Sequence, residues 1–125
     1  MRHLVSAMLL VVALIHLLPL SGVLGGARLR ALYDVTIDDP SLAIMMRHRA
    51  VLFGLLGAFL VYAAFREELQ ILGFFAGFVS VISFLLLAWA TGGFNASLRR
   101  VVVADVIALV CLVIGAVVRV CSSRA

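Results

Sequence analysis

Four apolar stretches, each close to the ~20 residues that a helix needs to cross a bilayer, occupy most of this chain. They run from about Leu4 to Leu24, Ser41 to Phe65, Leu69 to Thr91 and Leu98 to Val120. The breaks between them are polar. Gly25-Gly26-Ala27-Arg28-Leu29-Arg30 opens the first loop, Arg66-Glu67-Glu68 forms the second, and Gly92-Gly93-Phe94-Asn95 the third. Hydrocarbon offers backbone groups no water, so each stretch has to satisfy its own N–H and C=O groups as a helix. Short connections make neighbouring helices antiparallel. The expected fold is all-α: one integral membrane domain, residues 1–125, built as a four-helix up-down-up-down bundle. Composition agrees, because 66% apolar residues is well above the roughly 45–50% of a globular chain. A mean hydropathy of +1.27 over 125 residues is more apolar surface than so small a soluble domain can bury.

Helix punctuation supports these borders. Asp39-Pro40 sets a capping carboxylate before a proline at the first helical position, a start signal for the second helix. Gly92-Gly93 closes the third, and Asn95 to Ser97 can cap the fourth,. The first stretch has a second reading as a cleaved secretory signal, with Met1-Arg2-His3 as its basic start and Gly25-Gly26-Ala27 as a small-residue cleavage site,. Its length and the interruption by His16 and Pro19 favour a retained helix. Gly73, Gly77 and Ser80 on the third helix, Gly54, Gly57 and Ala58 on the second, and Ala108, Gly115 and Ala116 on the fourth form small-residue faces. Such faces let membrane helices approach closely.

The basic set is ten arginines and no lysine. They punctuate apolar spans instead of forming one basic face, which excludes nucleic acid as a partner and fits anionic headgroups. Arg28, Arg30, Arg47, Arg49, Arg99 and Arg100 lie on the side of the first and third loops, against Arg2, Arg66, Arg119 and Arg124 on the other. That balance leans towards cytoplasmic first and third loops; without Arg47 and Arg49 it is even. Cys111 and Cys121 are ten residues apart on one expected helix, too far for a disulfide, and no metal-ligand spacing is present.

The exceptions to apolarity converge. His16 lies about seven residues before the end of its helix, and His48 and Asp105 about seven after the starts of theirs, which puts each roughly 10 Å in from a helix end. All three ends fall on one side of the membrane. Arg47 and Arg49 share the level, whereas Arg119 lies at the far end. Ionisable groups in hydrocarbon cost several kcal/mol unless paired, wet or snorkelling, so His16, Arg47, His48, Arg49 and Asp105 form the candidate ligand-binding set. Each also has a structural role open to it. His16 can hydrogen-bond a neighbouring helix, Arg47 and Arg49 can snorkel to headgroups, and Asp105 can face its own helix start beside Arg99 or Arg100. Consecutive residues point about 100° apart on a helix, so the triplet cannot converge. Arg47 shares a face with Gly54 and Ala58 and is expected to face the bundle interior and pair with Asp105. His48 and Arg49 are expected to point elsewhere, and Ser80 and Ser83 to lack a partner at their level.

The segments His16-Leu17-Leu18-Pro19-Leu20, Leu32-Tyr33-Asp34, Arg47-His48-Arg49-Ala50-Val51-Leu52-Phe53-Gly54 and Leu98-Arg99-Arg100-Val101-Val102 with Ala104-Asp105 resemble those of small bacterial four-helix inner-membrane proteins of uncharacterised function. The Arg-His-Arg-Ala-Val-Leu-Phe-Gly run is the most specific piece. Members of that group are sometimes labelled phosphopantetheine adenylyltransferase, a soluble nucleotidyl transferase with a parallel sheet. The chain has no P-loop or Gly-rich dinucleotide fingerprint, so the resemblance implies architecture and location, a multi-pass protein of the bacterial inner membrane.

Three functions are compatible with these residues. The first is an accessory or ligand-binding bundle that holds an anionic lipid or small anion at the His16, Arg47 and Arg49 level. The second is a structural subunit of a homo-oligomer or larger membrane complex. The third is a membrane enzyme or redox protein in which His16 and His48 ligate haem or act as acid and base. No cofactor is otherwise expected.

Overall fold

Pro19 has no amide hydrogen to return to the carbonyl of Ile15, and the first apolar stretch changes character there. In the computed structural model, which describes residues 1–124, helix α1 (Arg2–Leu17) gives way to a tighter 3₁₀ segment, Leu18–Leu24. A short helix α2 (Gly26–Tyr33) follows, then α3 (Pro40–Ala64), α4 (Glu67–Thr91) and α5 (Ala96–Arg124). Four helical stretches are long and apolar enough to cross a membrane: Arg2–Leu24, Pro40–Ala64, Glu67–Thr91 and Ala96–Arg124.

The expected borders hold to within a few residues except in the first loop. Residues 26–33 form α2, where sequence reading expects irregular chain. Leu29 and Tyr33, four apart and on one face, are both buried, while Arg28 and Arg30 are exposed, the pattern of a helix lying on an apolar surface. Gly25, with φ of +129°, makes the sharp entry into α2 that a side chain would resist,. Asp39 caps α3 by accepting a hydrogen bond from the Ser41 amide at 2.9 Å. Glu67 and Glu68 occupy the first turn of α4, where the helix dipole favours them.

Three contacts fix the topology. The Ser6 hydroxyl donates to the Ala64 carbonyl at 2.6 Å, joining the start of α1 to the end of α3. At that same end Arg2 meets Glu67 at 3.1 Å, and the Ser122 hydroxyl meets the Met1 sulfur at 3.3 Å. The spanning helices therefore alternate in direction. Around the bundle α1 packs on α3 and α5, and α4 packs on the same two, closing a ring. The core is mainly apolar, with Leu9 and Val12 of α1, Leu60 of α3, Val81 of α4 and Leu112 of α5 fully enclosed and His16 and Gln70 as its buried polar residues. Outside, Leu14, Leu55, Phe75 and Leu87 stand exposed. Lipid, as apolar as these side chains, gives helices no hydrophobic push together, so close fit must hold the bundle. Gly57 against Leu17, Gly73 against Ala63, Gly77 against Leu112 and Gly115 against Phe74 supply that fit.

Candidate functional site

His16, Arg49 and Asp105 reach one cavity of about 210 Å³, whose walls also include Tyr33, Phe53 and Arg100. It lies near the helix ends opposite the Ser6–Ala64 contact, below Leu32 and Tyr33 of α2.

His16 occupies the last turn of α1 and is almost wholly buried. Its Nδ1 lies 2.8 Å from the Val12 carbonyl oxygen one turn back, and its Nε2 lies 2.9 Å from the Ser80 hydroxyl on α4. A carbonyl only accepts, so Nδ1 carries the hydrogen and donates. The neutral ring then accepts at Nε2 from the Ser80 O–H, and both bonds are made without burying an unpaired charge. Phe53 packs beside it, with ring centroids 5.8 Å apart.

Arg49 is held by aromatic rings. Its guanidinium carbon lies 4.6 Å from the centroid of Phe53 and 5.6 Å from that of Tyr33, and Nη1 donates to the Tyr33 hydroxyl at 3.2 Å. Stacking fixes the plane of the fork. A guanidinium has five N–H donors, and among the described residues only one of them is used here. The ion pairs among the described residues are Arg2–Glu67 and Arg66–Glu68, both at the Ser6–Ala64 end of the bundle, opposite the cavity. Among those residues the Asp105 carboxylate makes neither an ion pair within 4.0 Å nor a hydrogen bond. Arg49, Arg100 and Asp105 thus bring two positive groups and one negative to the cavity without neutralising one another directly.

Tyr33 owes its position to Asn95. The Asn95 amide nitrogen donates to the carbonyls of Tyr33 at 2.8 Å and Asp34 at 3.2 Å. Its amide oxygen accepts from the Leu98 backbone at 2.8 Å and so caps α5. One side chain therefore ends α2, starts α5 and sets the roof of the cavity. The Asn95→Ala variant is expected to lose about 1–2 kcal/mol, since a cap alone is worth ~0.5–2 kcal/mol. Detergent unfolding followed by helical circular dichroism measures this, and a wild-type midpoint would contradict the role.

The structure divides the sequence candidates. His16, Arg49 and Asp105 share the cavity. Arg47 and His48 are exposed and do not line it. The expected Arg47–Asp105 pair does not form; Nε of Arg47 instead donates to the Val23 carbonyl at 2.9 Å, serving a carbonyl near the end of the 3₁₀ segment. The face that Arg47 shares with Gly54 meets this segment, because Leu20 lies against Gly54, and Ala58 on the same side is exposed. Arg49, expected to point away, is the guanidinium that faces inwards. The haem option does not fit these residues, since His48 lies exposed and both ring nitrogens of His16 are engaged. Arg119 stays apart at the opposite end, near Glu67 and Gln70.

Ser80 also departs from expectation, because it has a partner in His16. A hydroxyl donating to an oriented imidazole is the geometry of an activated nucleophile. Here Ser80 sits mid-helix in α4, where backbone N–H groups are committed to the helix and cannot form an oxyanion hole. The pair acts as a tie between α1 and α4. Ser80→Ala is expected to cost about 0.6 kcal/mol and at most ~1.7 kcal/mol, the range for hydrogen bonds between membrane helices. A fluorophosphonate probe should leave Ser80 unmodified, and labelling there would restore the nucleophile reading.

Tyr33 is the cavity residue that sequence reading does not single out, whereas Arg100 is expected beside Asp105 and Asn95 as a cap near the same level. The spacing of Leu29 and Tyr33 beside outward arginines is the one signal that points to Tyr33. Against protein-family models, curated proteins and solved structures the chain has no match.

Proposed function

We propose that the protein is a multi-pass accessory protein of the bacterial inner membrane whose bundle binds an anionic group, carboxylate or phosphate, on Arg49. The location follows the resemblance of its motifs to small bacterial inner-membrane proteins. One observation carries the binding reading: a guanidinium fixed by Phe53 and Tyr33 borders a cavity, and among the described residues no carboxylate lies within 4.0 Å of it. A fork held in place with free donors is suited to a two-oxygen anion, since little of its freedom remains to be lost on binding.

The test uses acetate and methyl phosphate with the purified protein in neutral detergent, read by saturation-transfer NMR. Transfer to either anion from the wild type and its loss in Arg49→Ala is the expected result. Equal transfer from both proteins, or none from the wild type, overturns the reading and leaves the bundle as a structural subunit.

A further inference from the structure

The cavity at Arg49 is small for a ligand site. Its volume of about 210 Å³ falls below the ~300 Å³ at which ligand pockets usually begin, so it accommodates a head group and little more. A second hollow of about 300 Å³ lies beside it, between α3 and α4, with Leu52, Leu56, Ser83 and Leu87 in its walls. Leu52 and Leu87 are 50% and 68% exposed on the apolar outer surface, so this hollow opens to lipid. Arg49, Phe53 and Phe84 belong to the walls of both. The fixed guanidinium therefore stands where a largely apolar cavity that carries the charged groups adjoins a more open apolar groove.

The geometry points to one continuous site for a long-chain carboxylate, entering sideways from the bilayer with its head on Arg49 and its chain in the α3–α4 groove. This rests on the anion-binding reading and names the ligand class. The charge of the head follows from the walls. Arg49 and Arg100 against Asp105, with His16 neutral, leave a formal surplus of one positive charge. A carboxylate cancels that surplus, whereas a phosphate monoester at about −1.5 to −2 overshoots it. Two coplanar oxygens also match the fork.

The tail follows from depth. Arg49 lies nine residues beyond Pro40, roughly 14 Å along α3, and Leu32 and Tyr33 cover the cavity on the side of the helix ends. A soluble anion reaches this level only past that cover. A membrane amphiphile is already concentrated at it, and its chain leaves one apolar phase for another. The hydroxyls of Ser80 and Ser83 in the groove wall are already committed, to His16 and to the Ser80 carbonyl.

The test measures binding of hexadecanoate, its methyl ester and hexadecyl phosphate to the purified protein in bicelles. Carboxyl-labelled ¹³C NMR and native mass spectrometry supply the readouts. Hexadecanoate is expected to bind one per chain, at least tenfold tighter than the ester and tighter than the phosphate. The doubly substituted Leu52→Trp, Leu87→Trp protein fills the groove from positions that face lipid. It should lose hexadecanoate at least tenfold while acetate binding at Arg49 is unchanged. Hexadecanoate binding that survives the filled groove, an ester that binds equally, or a preference for the phosphate overturns the inference. Acetate binding that still depends on Arg49 in that case leaves the anion-binding reading standing, and its absence from the wild type removes that reading instead.

Discussion

Arg49→Ala is expected to weaken acetate binding by about tenfold to a hundredfold, while Arg47→Ala, two residues away, leaves it at the wild-type value. A hydrogen bond to a charged group is worth about 1.5–3 kcal/mol, and 1.4 kcal/mol is a factor of ten. Arg49 has the stacked and partly spent fork; the Arg47 guanidinium is exposed and bonded to Val23. Arg49→Lys should fall between them, because an ammonium keeps the charge but loses both the planar fork and the stacking on Phe53. Asp105→Asn is expected to shift binding the other way. Removing the one carboxylate from the cavity wall strengthens the field that an anion experiences, and affinity should rise. Isotherms by saturation-transfer NMR, with helical circular dichroism to verify folding, measure all four variants. A loss in Arg47→Ala equal to that in Arg49→Ala would mean that bulk charge holds the anion and the cavity does not.

Depth was legible in the sequence and direction was not. Counting residues from Asp39-Pro40, from Gly92-Gly93 and from the end of the first apolar stretch puts His16, the Arg47-His48-Arg49 triplet and Asp105 at one level. His16, Arg49 and Asp105 do line one cavity. Which arginine turns inwards depends on the azimuth of α3, and there the small-residue face misled. Gly54 marks a close approach, but the approaching chain is Leu20 of the 3₁₀ segment. Small residues report where backbones come near one another, which is a different direction from the bundle axis. The axis is marked by Leu60, fully buried and on the face of Arg49 and Phe53. The Ser80–His16 bond is equally beyond the sequence, since it joins residues sixty-four apart on helices whose rotation only packing decides. α2 escaped for another reason: eight residues with two arginines carry little hydropathy, and their helical state depends on the surface beneath Leu29 and Tyr33.

Gly57→Val is expected to destabilise the bundle by about 2–3 kcal/mol, the largest stability loss at any single position named so far. A Cβ at residue 57 would lie 2.7 Å from the side-chain carbons of Leu17 and 3.2 Å from the carbonyl oxygen of Ala13. Leu17 can turn aside. The Ala13 oxygen is backbone in mid-α1 and moves only if the helix moves. Gly57→Ala should therefore already cost about 1 kcal/mol, and the branched valine more, within the range for overpacked cores of ~1–3 kcal/mol. Displacing α1 from α3 opens the fully buried layer at Leu9, Val12 and Ala13. It also carries His16 away from Ser80, so acetate binding at the adjoining cavity should weaken in parallel. Ala58→Leu, one residue along but exposed to lipid, changes stability by no more than about 0.5 kcal/mol, as surface substitutions do. Unfolding midpoints for the three variants in mixed detergent give the comparison. Gly57→Val as stable as Ala58→Leu would show that α1 and α3 are not pressed together at this point. The stability of the bundle would then come from the α4–α5 seam, where Gly77 and Gly115 meet Leu112 and Phe74.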